Sequence, residues 1–309
     1  MIVAAVQDRV AVDLATGLDR VAVRAQEAAG NGAQLVVFPE TFLPGYPAWL
    51  DVCRDAGLWD HGPVKQAFRR MAEESVTVPG PAVDRLGAIA RDHHVTLVIG
   101  VSERVAAGPG RGTLYNTLLT FGPGGNLLNH HRKLMPTYTE RLVWGMGDGA
   151  GVRAVDTPAG RVGGLICWEH WMPLARQALH ESGEDIHVAV WPTVKEMNLV
   201  ACRQYAFEGR CWVIACGALM DASLLPPGLE PHPGLVPDEH SLLLRGGSAI
   251  IAPDGQVKAG PVFDTPAVLT AQISLERVRE ESMNLDVAGH YSRPDVFRLL
   301  RMNETRHPE

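Results

Sequence analysis

Apolar runs of strand length alternate along the chain with segments whose apolar residues recur at helical spacing. Val3 to Val6 reads as a first strand, and Leu14 to Ala29 as a helix that stops at Gly30-Asn31-Gly32. Gln34 to Pro39 (QLVVFP) is a continuous apolar run, as expected of a strand buried on both faces. A second helix and strand follow, over Pro81 to His94 and Val95 to Ser102. Tyr115 to Phe121 and Leu127 to Lys133 flank Gly122-Pro123-Gly124-Gly125, which predicts a hairpin. Val152 to Asp156 and Val162 to Ile166 form a similar pair around Pro158-Ala159-Gly160. His187 to Trp191, Cys211 to Cys216, Ser248 to Ala252 and Val268 to Gln272 complete the expected strands, with helices over Trp171 to Ser182 and Glu196 to Arg210. Hairpins combined with β-helix-β units predict an α/β fold with mixed sheets. Pro226 to Pro237 reads as a loop that covers a pocket or an interface. No linker and no short repeat interrupts the pattern, so residues 1–309 are expected to form a single domain.

Composition narrows the partners. The chain has 309 residues, 46% hydrophobic and 20% charged, which is ordinary for a globular protein. A formal charge of -7 disfavours a nucleic-acid or anionic-membrane partner. No apolar run approaches the roughly 20 residues that span a bilayer. MIVAAVQDRV reaches Gln7 and Asp8 at once and lacks a basic start, so it reads as a strand and not as a signal peptide. Cysteines stand at 53, 167, 202, 211 and 216, with no C-x-x-C pair. An odd number of thiols fits a reducing, cytoplasmic setting.

Three neighbourhoods carry chemistry. In Gly163-Gly164-Leu165-Ile166-Cys167-Trp168-Glu169-His170 a strand ends in a cysteine and a helix begins soon after. Such a turn lifts the sulfur among backbone N–H groups, and a nearby cation is expected to lower its pKa. Cys202, Cys211 and Cys216 sit inside regular elements and read as buried packing residues, and Cys53 has no supporting context. Glu40, in FPETFLPGYP, directly follows an apolar strand, and partial burial there would raise its pKa toward that of a general base. Lys133, in HHRKLMPTYTER, stands at a strand end before Pro136, suited to hold a thiolate or a developing anion. His130 and His131 have no partners at zinc-like spacing, so no metal is expected. Gly145-x-Gly147-x-Gly149 lacks the strand–helix setting of a phosphate loop.

Taken together, Glu40, Lys133 and Cys167 resemble the Glu-Lys-Cys triad of the nitrilase superfamily. FPETFLPGYP resembles that family's glutamate motif, HRKLMPTYTERLVWGMGDG its lysine motif and ICWEHWMPLAR its cysteine motif. GGSAIIAPDG and GHYSRPDVF resemble later family segments, so the likeness runs from about residue 2 to about residue 300. It implies a four-layer α-β-β-α sandwich. HRKLMPT and CWEHWMPLAR are similar to the true nitrilases and the related cyanide-converting enzymes. The same resemblance implies that Glu140 is a second glutamate orienting lysine and substrate, and that the Trp168 N–H is an oxyanion-type donor. Tyr46, Trp168 and Trp191 are candidate pocket walls. The chain departs from the branch at His170, where Asn is usual, and at Met146, where Gln is frequent; both bear on substrate preference. It ends soon after Phe297, without the long tail of many members. A homodimer or higher homo-oligomer is implied.

The implied chemistry is hydrolysis of a small organic nitrile to a carboxylic acid and ammonia through a cysteine thioimidate and thioester. Every step is nucleophilic or acid–base, so no cofactor is implied. A nitrile or cyanide hydratase releasing the amide is the nearest alternative, then an amidase. A non-catalytic scaffold on the same fold ranks last, because Glu40, Lys133, Glu140 and Cys167 are all present.

Overall fold

The computed structural model describes residues 1–236 and 238–302. Strand β1 (Ile2–Gln7) leads through α1 (Leu14–Gly30) to β2 (Ala33–Val37). Helices α2 (Trp49–Val52), α3 (Gly62–Glu73) and α4 (Pro81–Asp92) precede β3 (Thr96–Arg104), β4 (Leu114–Phe121) and β5 (Leu127–Arg132). Then come β6 (Val155–Thr157), β7 (Gly160–Ile166), α5 (Pro173–Glu181), β8 (Ile186–Trp191), α6 (Glu196–Gly209), β9 (Trp212–Gly217) and β10 (Leu219–Asp221). β11 (Leu242–Ile251), β12 (Val257–Phe263), β13 (Ala267–Gln272) and α7 (Leu275–Ser282) complete the order.

Two mixed sheets result. The first runs β13-β1-β2-β3-β4-β5 and the second β10-β11-β9-β8-β7-β6, with β12 paired to β11. Each is parallel where helices connect its strands, as in β1–β2–β3 and β7–β8–β9, and antiparallel where hairpins do. Alternation along β2 shows the layering. Val36 joins Leu18, Val21 and Ala25 of α1 and Leu86 of α4, whereas Leu35 and Val37 join the second sheet's Val188, Val190 and Ile214. Helices α5 and α6 close that second cluster with Leu179 and Tyr205. The molecule is therefore an α-β-β-α sandwich. Cys216 crosses between the layers, its sulfur 3.2 Å from the Val6 carbonyl oxygen.

Five elements were absent from the sequence reading: α2 and β10 are only four and three residues long, although they bury Trp49, Leu50, Leu219 and Met220, and the other three are largely solvent-facing. Helix α3 buries only Ala67 and Met71, α7 buries nothing, and β12 alternates between intermediate and exposed positions across Gly260-Pro261. The Val152 strand starts later, at Val155, and the Ser248 strand earlier, at Leu242. Of the Pro226 to Pro237 loop, Pro237 lies outside the described residues. The remainder packs on the α2 region, with Leu229 buried and His232 N–H donating to the Val52 carbonyl at 2.8 Å.

Truncation should separate core from surface. Leu35→Ala is expected to cost about 2–5 kcal/mol of unfolding free energy, because its side chain lies wholly between the sheets. Val23→Ala, on the exposed side of α1, should stay within about 0.5 kcal/mol. Urea titrations check both, and equal losses would contradict the layering.

Candidate active site

Glu40 lies in the loop after β2, three residues past the strand's last residue, Val37, and not directly at its end. The loop is pressed onto β3 at Gly100, where a Cβ would stand 2.4 Å from the Pro39 carbonyl oxygen and 2.7 Å from Glu40 Cα. Only glycine admits this approach. Gly100 N–H donates to Pro39 at 3.1 Å and anchors the turn. Lys133 follows the last residue of β5, and its N–H donates to the Asn116 carbonyl of β4 at 2.8 Å. Glu140 sits in a short 3-10 turn, Tyr138–Leu142, where its Oε2 caps the Thr137 N–H at 2.8 Å. Cys167 opens another 3-10 turn, Cys167–Trp171, with a left-handed φ of 53°. Non-glycine residues held there are commonly functional.

These elements converge on one buried cluster. Lys133 Nζ donates to Glu40 Oε1 at 3.2 Å and to Glu140 Oε2 at 2.6 Å. A carboxylate oxygen of Glu40, one of Glu140 and the Cys167 sulfur lie within 4.8 Å of one another. Asn116 Nδ2 donates to Glu40 Oε1 at 2.7 Å, and the Tyr46 hydroxyl donates to Glu140 Oε1 at 3.1 Å. Glu40 Oε2 has no hydrogen-bond partner among the described residues and can take a proton. The two carboxylates and the thiol resemble a metal-ligand set, but the Lys133 ammonium already pairs with both carboxylates, so a divalent ion would have to displace it.

Burial governs the proton distribution. Desolvation, opposed by Lys133 and reinforced by Glu140, raises Glu40 to about 7. Burial also pushes the Cys167 thiol well above its ordinary value; Glu40 and Glu140 add to this, while Lys133 and the Trp168 N–H oppose it. This corrects the expectation of a cation-stabilised thiolate. The resting group is a thiol beside a carboxylate poised to deprotonate it. Desolvation would lower Lys133, but the Glu40 and Glu140 carboxylates outweigh it and the group stays an ammonium.

Glu169 had no role in the sequence reading, yet it ties the two sheets at this point. Its Oε1 accepts from Leu134 N–H at 2.7 Å, its Oε2 from Ile166 N–H at 2.7 Å, and His131 Nε2 stands 3.0 Å away. Burial alone would raise this carboxyl, but His131 and the two N–H donors hold it low. Asn116 was likewise missed, since only the pairing of β4 with β5 brings it beside Lys133.

A cavity of about 700 Å³ reaches Cys167 and Glu140 and is walled by Tyr46, Trp168, Trp171 and Trp191. All three candidate wall residues line it. Trp168 is 57% exposed, whereas Trp191 is fully buried and stacks on His170 at 4.8 Å between ring centroids. Asp51, Lys195 and Glu196 supply charge along the same lining. Met146 is exposed, and His170 is buried against the backbone of Cys167.

Residues 2–281 match the carbon-nitrogen hydrolase family. The bifunctional nitrilase/nitrile hydratase NIT4A of Lupinus angustifolius is 38% identical over 301 residues, covering 96% of this chain and 84% of that protein. Nitrilase blr3397 of Bradyrhizobium diazoefficiens is 39% identical over 89% of this chain and 83% of its own length. Nitrilase 1 of Arabidopsis thaliana is 39% identical over 91% and 80%. Among solved structures, the carbon-nitrogen hydrolase of Helicobacter pylori G27 superposes with a TM-score of 0.67 at 19% identity, covering 91% of this chain and 92% of that one. XC1258 of Xanthomonas campestris, solved with an arsenic adduct in its active site, gives 0.67 at 20% identity over 93% and 96%. The fold, the motif spacing and these relatives agree: the chain belongs to the carbon-nitrogen hydrolase family, in the nitrilase branch of the nitrilase superfamily.

Proposed function

We propose that this chain is a single catalytic unit that hydrolyses an organic nitrile to the carboxylic acid and ammonia, with Cys167 as nucleophile. One observation carries the reading: the Lys133 ammonium joins Glu40 and Glu140 within 4.8 Å of the Cys167 sulfur, at a cavity large enough for an organic substrate. Sulfur attacks the nitrile carbon as Glu40 takes the thiol proton and delivers it to nitrogen, forming a thioimidate. The Lys133 ammonium and the Trp168 N–H stabilise the charge that develops there. Water deprotonated by Glu40 adds to this carbon, and protonation of nitrogen expels ammonia to leave a thioester. A second water releases the acid and restores the thiol, so two waters are consumed for each nitrile.

The tryptophan walls favour a nitrile bearing an aromatic or similarly bulky apolar group over cyanide itself. Amide release, by loss of sulfur in place of ammonia from the tetrahedral intermediate, is the second reading. It is favoured by the likeness to a bifunctional nitrilase/nitrile hydratase. Five free thiols suit a cytoplasmic location. We also propose a homodimer through the outer face of α5 and α6, where Leu174, Met197, Val200 and Phe207 are exposed.

Incubation with aliphatic, aromatic and arylaliphatic nitriles and with cyanide should yield acid and ammonia in excess over amide, best with the aromatic members. Cys167→Ala should abolish turnover; mostly amide, or an active variant, would sink the main reading. The pH profile follows from Glu40, which must be ionised to accept the thiol proton: kcat should rise with pH through about 7. Glu40→Gln should remove that limb together with the activity. Light scattering after size exclusion should give the mass of two chains, and Val200→Arg should shift it toward one.

A further inference from the structure

A second line of buried groups starts at the backbone of Cys167 and leads away from the triad. His170 Nδ1 lies 2.7 Å from the Cys167 carbonyl oxygen, His170 Nε2 lies 3.0 Å from His187 Nε2, and His187 Nδ1 lies 2.9 Å from Glu184 Oε2. Farther along, the Tyr205 hydroxyl donates to Glu184 Oε1, and His180 stands 3.6 Å from Glu184 and 3.5 Å from Glu208. Arg176 closes the set, pairing with Glu208 at 3.4 Å and donating to the His170 carbonyl at 3.0 Å. The fold makes room for this line. A Cβ on Gly163 would meet Glu184 Oε2 at 2.2 Å, and one on Gly209 would meet His180 Cε1 at 2.5 Å.

Proton counting fixes the tautomers. A carbonyl oxygen and a carboxylate can only accept, so the three contacts from Cys167 to Glu184 need three N–H protons. Two neutral imidazoles carry two. The third proton is held within the His187–Glu184 pair. Desolvation, then His187, drives His170 down to about 3, so His170 is the neutral ring. Glu184 is held at about 2, where His187 and His180 outweigh its burial. His187 therefore donates to His170 Nε2 and leaves the His170 proton only on Nδ1, facing Cys167. In the other tautomer a lone pair would face that carbonyl.

We infer that His170 is a positioning residue for the nucleophile: locked as its Nδ1–H tautomer by His187 and Glu184, it holds the Cys167 carbonyl and so keeps Cys167 in its left-handed conformation. The stack of His170 on Trp191 ties the same ring to the cavity wall. This inference rests on Cys167 being the nucleophile proposed above.

Four variants test it. His170→Phe keeps a ring against Trp191 but has no donor, and kcat should fall about 10- to 100-fold with little change in KM. His170→Asn places Nδ2–H where Nδ1–H stood, needs no relay to orient it, and should recover most of that loss. His187→Phe should lower kcat about tenfold in the natural background, where it frees the His170 tautomer, yet leave His170→Asn unchanged in the double variant. The same cost of His187→Phe on both backgrounds, or a His170→Asn variant no better than His170→Phe, would overturn the assignment. Alkylation of Cys167 by iodoacetamide, followed by peptide mass spectrometry, should rank the variants in the same order. That readout needs no nitrile, so failure of the nitrilase reading and failure of this inference are distinguishable.

Discussion

The site depends on one buried ammonium. Lys133 Nζ sits between the carboxylates of Glu40 and Glu140, and none of the three is accessible to solvent to any useful degree. Two carboxylates cannot both ionise in a dry pocket without such a cation. Removing one partner of a buried ion pair typically costs about 3–5 kcal/mol, because the other is left uncompensated. One ammonium does not fully neutralise two carboxylates. Burial raises Glu40, Lys133 opposes this and Glu140 adds to it, so that the carboxyl titrates at about 7 beside the thiol.

Everything around Lys133 serves to deliver the cluster. Pairing of β4 with β5 sets the lysine backbone against Asn116, which also reaches Glu40. The capping contact of Thr137 with Glu140 fixes the second carboxylate, and Tyr46 holds its other oxygen. Glu169 spans the two sheets, binding backbone N–H groups that adjoin Lys133 on one side and Cys167 on the other. A change at this buried residue would move the Cys167 turn and the Lys133 ammonium together. The histidine line behind Cys167 adds a second constraint on the same turn, built from groups on β8, α5 and α6.

The sheets were largely legible in the sequence, because strands buried on both faces read as continuous apolar runs. Gln34 to Pro39 and His187 to Trp191 are such cases. Helix α3 was passed over although Val64, Ala67, Phe68, Met71 and Ala72 recur at helical spacing, whereas α7 is eight residues long with none fully buried, too short for a clear period. Glu40, Lys133 and Cys167 stood out because each ends a strand pattern, apolar before Glu40 and Cys167 and alternating before Lys133, inside a distinctive motif. Asn116, Glu169 and His187 did not, because their roles depend on which strands become neighbours. The thiolate expectation failed for a related reason: the sequence shows a lysine in the right place, but not that the whole cluster is dry and carries an excess carboxylate.

The central claim is that Cys167 becomes covalently joined to substrate. Rapid acid quenching of the enzyme during turnover of an aromatic nitrile, followed by intact and peptide mass spectrometry, tests it most directly. An acyl or imidoyl adduct of substrate mass is expected on the peptide bearing Cys167, decaying as substrate is exhausted and missing in Cys167→Ala. Turnover with no adduct at Cys167, or an adduct confined to another cysteine, would contradict it.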